Sequence, residues 1–479
     1  MDSTHQPLWQ HQEEALAWAL KRIAALLHLG MGTGKTRIAC EWIKAILQRY
    51  SATPNDKNFR VLVGCPKAVL AAWQKQCGMW LPEVRILVLD QKNSKKKDEA
   101  IAAALADTSP LIIVGNYESL RLLAQVQKVA WSAIVWDEIH RLKSPSGATS
   151  KWAAKLIKKN VEAYRLGLSG TMIAHSPLDA FGVWRSVGLD TWGRSYTAFK
   201  ATYSISNPAI PGMVIAWQNQ ADMTRKIQAT TFHRRTEDVI KWLPELTKER
   251  LDFTLSAEEA RVYRELYREF AADVEGGTIT PTNAMVGVLR LMQVCGGFCR
   301  LDDDNRPYRL VKRPAKQARL GELLQDVDPK EPLVVFCRFR DDIESVIAEC
   351  KSHGRSHSEL SGKINDLHKW QAGETNVLVA QIQSGGIGID LTRASLGIFY
   401  SVGHSLSEYL QAVARLHRPG QTQSTRLYSL SARLPNDSPT VEVRAYQSLF
   451  EKKDLIDGIL DGIRSGTGRT VAAGTSGNS

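Results

Sequence analysis

The run Gly30-Met31-Gly32-Thr33-Gly34-Lys35-Thr36 carries the residue types that hold a phosphate. Glycines let backbone N–H groups close around phosphate oxygens at a helix N-terminus. Lys35 then sets positive charge against the β and γ phosphates, and the Thr36 hydroxyl ligates magnesium. One position departs from G-x-x-x-x-G-K-[ST]: Leu29 stands where the first glycine is expected. Further along, Asp137-Glu138-Ile139-His140 supplies adjacent carboxylates. Asp137 suits a magnesium shell, and Glu138 suits polarisation of a water that attacks the γ-phosphate. A third set is Gln411, Arg415 and Arg418, spaced i, i+4 and i+7 and therefore on one face if the segment is helical. Two guanidiniums on one face suit an anion. If that face meets the phosphate loop across a cleft, they act as arginine fingers on the transferring phosphate.

These groups need elements to position them. Residues 24–27 form an apolar strand run ahead of the glycine loop, and Ile38, Ala39, Trp42, Ile43, Ile46 and Leu47 repeat at helical spacing after it. Strand, glycine loop and helix is the context a phosphate loop requires. Residues 134–136 run straight into Asp137, which puts both carboxylates at the C-terminal edge of a parallel sheet, where such sheets bind ligands. Further strand runs at 61–63, 111–114 and 165–168 alternate with helical patterns, and a second series follows at 333–336, 377–379, 397–400 and 427–430. Between the two series, Ser256 and Glu259 read as a capping box ahead of Val262, Tyr263, Leu266, Tyr267 and Phe270, an amphipathic helix.

The 479 residues exceed one ordinary core, so two domains are expected. A composition 43% hydrophobic and 23% charged is that of a globular protein, and no apolar run approaches membrane-spanning length. The first twelve residues lack a basic stretch followed by an apolar core, so an intracellular, cytoplasmic protein is expected. Seven scattered cysteines fit neither a disulfide framework nor a zinc site and read as buried thiols. The net charge of +12 suits a polyanionic partner. The run containing Lys92, Lys95, Lys96 and Lys97 reads as a solvated loop.

The quoted motifs resemble those of helicase superfamily two: Gly32 to Thr36 is similar to motif I, Asp137 to Lys143 to motif II and Leu168-Ser169-Gly170-Thr171 to motif III. Gln411-Ala412-Val413-Ala414-Arg415-Leu416-His417-Arg418-Pro419-Gly420-Gln421 resembles motif VI of the Snf-type DNA translocases, and Ser384 to Leu391 their motif V. Leu8, Gln12 and Trp18 have the spacing of the family's adenine-side motif, and residues 61–66 followed by Trp73 look like motif Ia. The resemblance extends over about residues 8–430. It implies two tandem RecA-like α/β P-loop domains, at 1–236 and 316–465, joined by a helical inter-domain segment at 237–315; the small, polar, glycine-rich tail at 466–479 is expected to be disordered. ATP with Mg²⁺ is the implied cofactor pair, bound by Gln12, Gly32, Thr33, Gly34, Lys35, Thr36 and Gln411. Double-stranded DNA is the implied partner, gripped through its backbone by Lys67, Gln383, Ser384 and Gly385. His140 couples the ATP site to motif III in this family.

Three departures stand out. The acidic pair the family carries before Met31 is Leu29 and Gly30, the aspartate expected after residues 397–399 is Tyr400, and the usual Trp-Asn-Pro is replaced around 403–405. The implied activity is movement along duplex DNA, about one nucleotide per ATP cycle, in repair, replication or recombination. A strand-separating helicase and an ATP-gated DNA clamp are the alternatives. The presence of Lys35, Thr36, Asp137, Glu138, Arg415 and Arg418 together argues against the clamp. Compactness points to a bacterial or viral source.

Overall fold

The computed structural model describes residues 7–51, 58–173, 176–207, 214–275, 281–300, 307–382, 389–403 and 405–461. The chain divides into two compact units. Met1–Val239 forms the first, together with the end of the last helix from Lys453, and Ile240–Lys452 forms the second. Of the connecting segment expected at 237–315, the residues from Ile240 on group with the second unit.

In the first unit, strands β1 (Ala24–Leu29), β2 (Arg60–Cys65), β3 (Arg85–Val88), β4 (Leu111–Asn116), β5 (Ala133–Asp137) and β6 (Tyr164–Ser169) are joined by helical crossovers. A short antiparallel pair, β7 (Ser204–Ser206) and β8 (Val214–Trp217), precedes β9 (Thr231–Arg234). Seven strands form one sheet in the order β3-β4-β2-β5-β6-β1-β9, every pairing parallel. All residues of β1, β2 and β5 are buried, as expected of a parallel sheet covered on both faces. The order matters for the site: β6 lies between β5 and β1, so the end of β6 falls between the Asp137 edge and the glycine loop. The helix Lys35–Ser51 packs its Ile38, Trp42, Ile43 and Ile46 into the core formed by β1, β2 and β5.

The second unit holds β10 (Leu246–Thr254), the hairpin β11 (Phe298–Arg300) and β12 (Pro307–Arg309), then β13 (Leu333–Cys337), β14 (His357–Leu360), β15 (Val377–Gln381), β16 (Leu396–Phe399) and β17 (Thr425–Arg433). Its six-stranded parallel sheet runs β10-β17-β16-β13-β15-β14. Ser256 and Glu259 form the expected capping box: Glu259 Oε2 accepts from Ser256 N at 2.9 Å, and Glu259 N donates to Ser256 Oγ at 3.3 Å. Two of the expected alterations to the family pattern have a packing reason. Tyr400 is fully buried beside the Lys316 ammonium, which lies 5.5 Å from its ring and is paired with Glu442, so a carboxylate at 400 is not needed to balance Lys316. Gly30 passes so close to Thr236 that a Cβ would lie 2.2 Å from the Thr236 hydroxyl oxygen, which excludes the family's acidic side chain there.

Of the lysine run, Lys92 lies in an exposed loop as expected, but Lys95, Lys96 and Lys97 are helical. Asn93 Oδ1 accepts from Lys95 N at 2.8 Å and caps the helix Ser94–Leu105, whose Ile101 and Ala104 are buried. Lys97 is buried too and donates to Ser119 Oγ at 2.9 Å. Six of the seven cysteines are buried and all are free thiols. Among the described residues, no helix is long and apolar enough to cross a membrane.

Candidate active site

The glycine loop follows directly from β1. Gly32 (φ 77°) and Gly34 (φ 81°) adopt the left-handed conformation that lets consecutive amides turn inward. Thr33 Oγ1 closes the loop on Gly30 O at 2.7 Å, and the Lys35 ammonium folds into it, donating to Leu29 O at 3.0 Å and Gly30 O at 3.1 Å. The loop is fixed from outside as well. His11 Nε2 and Gln12 Nε2 both bond Thr33 O, at 2.9 and 3.0 Å, while Gln12 Oε1 accepts from Trp9 N at 3.0 Å. On the opposite flank, Gly30 N donates to Arg234 O at 2.9 Å and Thr236 Oγ1 to Met31 O at 3.0 Å. Leu29 completes β1 and is fully buried, so the position where a glycine was expected serves as a core strand residue.

Asp137 ends β5. Its carboxylate is held on both oxygens: Trp73 Nε1 donates to Oδ2 at 2.8 Å and Glu138 N to Oδ1 at 3.0 Å. The Tyr117 hydroxyl donates to the Asp137 carbonyl at 2.5 Å. Burial, then the neighbouring Glu138 charge, push the Asp137 carboxyl above its ordinary range, and Trp73 and Lys35 pull against that. Glu138 occupies the left-handed region (φ 52°, ψ 51°), an uncommon conformation for a non-glycine residue and the kind of strain that sites retain. The strain turns its carboxylate toward β6. There Ser169 Oγ donates to Glu138 Oε2 at 3.2 Å, and His140 Nδ1 lies 3.0 Å from Ser169 Oγ and 3.3 Å from Glu138 Oε2. Thr171 N donates to Ser169 Oγ at 3.0 Å. With the serine proton committed to Glu138, the arrangement calls for a proton on His140 Nδ1. Burial works against ionisation of Glu138, but the His140 bond and charge, Lys35 and the Ser169 hydroxyl outweigh it and hold the carboxyl below its usual range. An ionised Glu138 can orient and polarise a water. The hard oxygens of Thr36 and Asp137 are the donor chemistry that suits Mg²⁺.

Lys67 begins a single turn, Lys67–Val69, immediately after β2, and is exposed. Gln383, Ser384 and Gly385 lie outside the described residues. In the second unit, the helix Leu406–Leu416 buries Leu406, Tyr409 and Val413 and leaves Leu410 half-buried. Gln411 is buried and donates to Ser407 Oγ at 3.4 Å. The helix stops before Arg418. Arg418 precedes Pro419, which disfavours helical backbone at that residue, and His417 Nε2 is held on Pro244 O at 2.7 Å. Arg418 therefore does not continue the helix face expected of Gln411 and Arg415. Its Nη1 donates to Ile389 O at 3.3 Å. Burial disfavours the charged Asp390, but bonds from Thr392 N and Oγ1 and the charges of Arg418 and Arg415 hold its carboxyl low, so all three share one neighbourhood. Gln421 is a structural staple: its amide donates to Thr392 O, Ala394 O and Leu416 O, and its Oε1 accepts from Thr422 N and Gln423 N.

Roles for Tyr117 and His28 were not legible in the sequence, and Trp73, Ser169 and Asp390 were visible only as members of motifs. The family model for the SNF2-related domain matches residues 11–297, and that for the helicase conserved C-terminal domain matches 315–420. The chain belongs to the SNF2-related family. Similar SNF2 relatives include the DNA repair and recombination protein RAD54B of Gallus gallus, 23% identical over 92% of this chain and 52% of its own length. The ISWI chromatin-remodeling complex ATPase ISW2 of Saccharomyces cerevisiae is 23% identical over 97% of this chain and 42% of its own length. An uncharacterized ATP-dependent helicase of Mycoplasma genitalium is 23% identical over 94% and 42%. The chain thus spans about half the length of these curated relatives or less. Among solved structures, the SWI2/SNF2 ATPase core of Sulfolobus solfataricus in complex with dsDNA is 22% identical, with a TM-score of 0.43 over 95% of this chain and 93% of that one. The chain thus carries an SNF2-related domain and a helicase conserved C-terminal domain, which are ATPase, helicase-like enzyme domains, on two parallel-sheet α/β units.

Proposed function

We propose that this SNF2-family ATPase hydrolyses Mg²⁺-bound ATP to move along double-stranded DNA. In this reading Lys35 and the amides of Gly32 to Thr36 bind the phosphates, Thr36 and Asp137 hold the metal, and Glu138, aligned by His140 and Ser169, orients the attacking water. Magnesium, when bound, neutralises charge on the phosphates. Arg415 and Arg418 offset charge on the transferring phosphate. Gln12 steadies the phosphate loop, and Gln411 completes the nucleotide contacts. Lys67 grips the DNA backbone, with Gln383, Ser384 and Gly385 taking the same role from the second unit.

The observation that carries the coupling of DNA to hydrolysis is the bond from Trp73 to Asp137. Trp73 belongs to the helix Leu70–Trp80, which follows the Lys67–Val69 turn without a break. A phosphate drawn to Lys67 therefore acts on the same rigid piece that holds the metal-binding carboxylate. Because the relatives include a DNA repair and recombination protein, DNA repair, replication or recombination is the setting we propose.

The test compares steady-state ATPase rates on duplex, single-stranded and forked DNA and on RNA, with Lys35→Ala and Glu138→Gln as controls. Strongest stimulation by duplex DNA is expected. Lys35→Ala should lose nucleotide binding, whereas Glu138→Gln should keep it and stop turnover. Equal or greater stimulation by RNA would remove the duplex reading, and full turnover in Glu138→Gln would remove the site.

A further inference from the structure

His28 is the penultimate residue of β1, next to Leu29, and its imidazole is buried. Its Nε2 lies 3.0 Å from Gly170 O, so a neutral ring with the proton on Nε2 donates to the segment that follows β6. Backbone pairing between β1 and β6 ends where His28 faces Ser169; the His28 side chain extends that connection one residue further. Gly170 approaches the phosphate loop directly as well, since a Cβ on it would lie 3.2 Å from Met31 Cγ. On its other side, His28 packs against His233 of β9 with ring centroids 4.5 Å apart, and His233 Nδ1 lies 3.2 Å from His28 O.

These contacts close a ring. Lys35, the first residue of the helix that follows the glycine loop, acts electrostatically on both Glu138 and His28. Glu138 is bonded to Ser169, the next residue is Gly170, and Gly170 O is bonded to His28. Of the links in this ring, the His28 bond is the one that joins the base of the phosphate loop to the 169–171 segment by a side chain. Burial disfavours the charged imidazole, and the neighbouring His233, Lys35 and Arg235 act in the same direction while the Gly170 bond opposes them; it is the Gly170 carbonyl that selects the neutral tautomer with its proton on Nε2.

We infer that His28 is a positioning residue for hydrolysis, fixing the 169–171 segment against the phosphate loop so that Ser169 and His140 aim Glu138 at the water. The inference rests on the ATP-site reading above. A buried hydrogen bond that sets geometry at a reacting centre affects turnover more than ground-state binding, and a misplacement of about 1 Å can cost on the order of 100-fold.

The experiment measures kcat and KM for ATP, binding of a non-hydrolysable ATP analogue, and thermal melting in the full chain for His28→Phe, His28→Gln and His233→Phe. Phenylalanine keeps the ring volume and removes the donor, and glutamine restores an N–H at the Nε2 position. His28→Phe should lower kcat roughly tenfold or more with analogue affinity within a few-fold, His28→Gln should recover most of that loss, and His233→Phe, which leaves the Gly170 bond intact, should stay near wild type. Should His28→Phe fail to fold, His28→Asn takes its place, because its shorter amide falls short of Gly170 O. Normal kcat in the donor-less variant would overturn the inference, as would equal losses in His28→Phe and His28→Gln. If Lys35→Ala and Glu138→Gln retain turnover, the ATP-site reading fails instead.

Discussion

The indole N–H of Trp73 donates to Asp137 Oδ2 at 2.8 Å, in a fully buried position between the helix Leu70–Trp80 and the end of β5. Because burial and the Glu138 charge already raise the Asp137 carboxyl, the indole is one of the groups that keep it ionisable. Trp73→Phe removes the donor and keeps most of the packing. A charge-assisted hydrogen bond of this kind is worth about 1.5–3 kcal/mol. The Asp137 carboxyl then moves further up, and a site that needs it ionised loses activity as pH falls through that value. The acid limb of the ATPase profile should therefore shift to higher pH in Trp73→Phe, with turnover at neutral pH reduced several-fold. An unshifted acid limb would show that Asp137 does not set it.

The central parts of this site could be read in the sequence because they carry local patterns. The glycine loop, the carboxylate pair and the five strands nearest them are apolar runs or motif residues. Within the two large sheets, the strands not expected from the pattern are β3, β9, β10 and β14, the four edges. Their reason is physical: an edge strand is half-covered, so Arg85, His233, Lys248 and Glu359 sit among its apolar residues and blur the run. Glu138 in the left-handed region, the His28 to Gly170 bond and the Trp73 to Asp137 bond join residues from separate strands or depend on backbone strain. Spacing along one chain carries no record of them. Gln421 shows the converse, a motif residue whose five hydrogen bonds fix its own turn and tie it to the 392–394 segment.

The two arginines test whether the second unit takes part in hydrolysis. Arg415→Ala or Arg418→Ala should cut turnover by roughly 10³-fold while leaving ATP affinity within a few-fold, since an arginine finger acts on charge that develops in the transition state. Turnover against nucleotide titration for each variant supplies the measurement. Because Arg418 lies past the helix end and Arg415 within it, unequal losses would identify which guanidinium reaches the phosphate. Near-normal turnover in both would remove them from the site.

The buried Lys316–Glu442 pair should behave as an ion pair whose loss is felt only when one partner goes. Lys316 is fully buried, and Glu442 Oε2 also accepts from Ala432 N at 3.2 Å. Glu442→Leu strands a buried ammonium and should destabilise the second unit by about 3–5 kcal/mol. Adding Lys316→Met should restore much of that loss. Urea unfolding of the single and double variants reads the difference, and equal stability of the two would show that the pair is not the source.

Acid should weaken the first unit. Burial lowers the pKa of His28 well below the ordinary value of 6.5, and His11 is lowered for the same first reason. The unfolded chain then binds these protons more readily than the folded one, so stability is fully present above about 6.5 and is lost as pH falls below it. Melting of the first unit should drop between roughly pH 6.5 and pH 5, and His28→Gln should flatten part of that drop. An identical pH dependence in His28→Gln would assign the effect elsewhere.

Movement along duplex DNA should proceed without strand separation. The motivation is the Snf-like run from Gln411 to Gln421 in a chain that matches the SNF2-related and helicase C-terminal models. Separating a base-pair step costs roughly 1–2 kcal/mol in stacking, whereas a motor that follows one backbone inside an intact duplex does not meet that cost. Two substrates distinguish the cases in the presence of ATP. A triplex releases its third strand when a motor tracks the duplex beneath it, and a fork parts only if its strands are unwound. Release of the third strand, dependent on Lys35 and suppressed in Glu138→Gln, is expected together with an intact fork. The salt dependence of binding gives an independent check: backbone contacts such as Lys67 should make affinity fall log-linearly with salt and vary little with base sequence, and Lys67→Ala should reduce that slope by about 1. Efficient unwinding of the fork with no displacement from the triplex would make strand separation the activity of this SNF2-family chain.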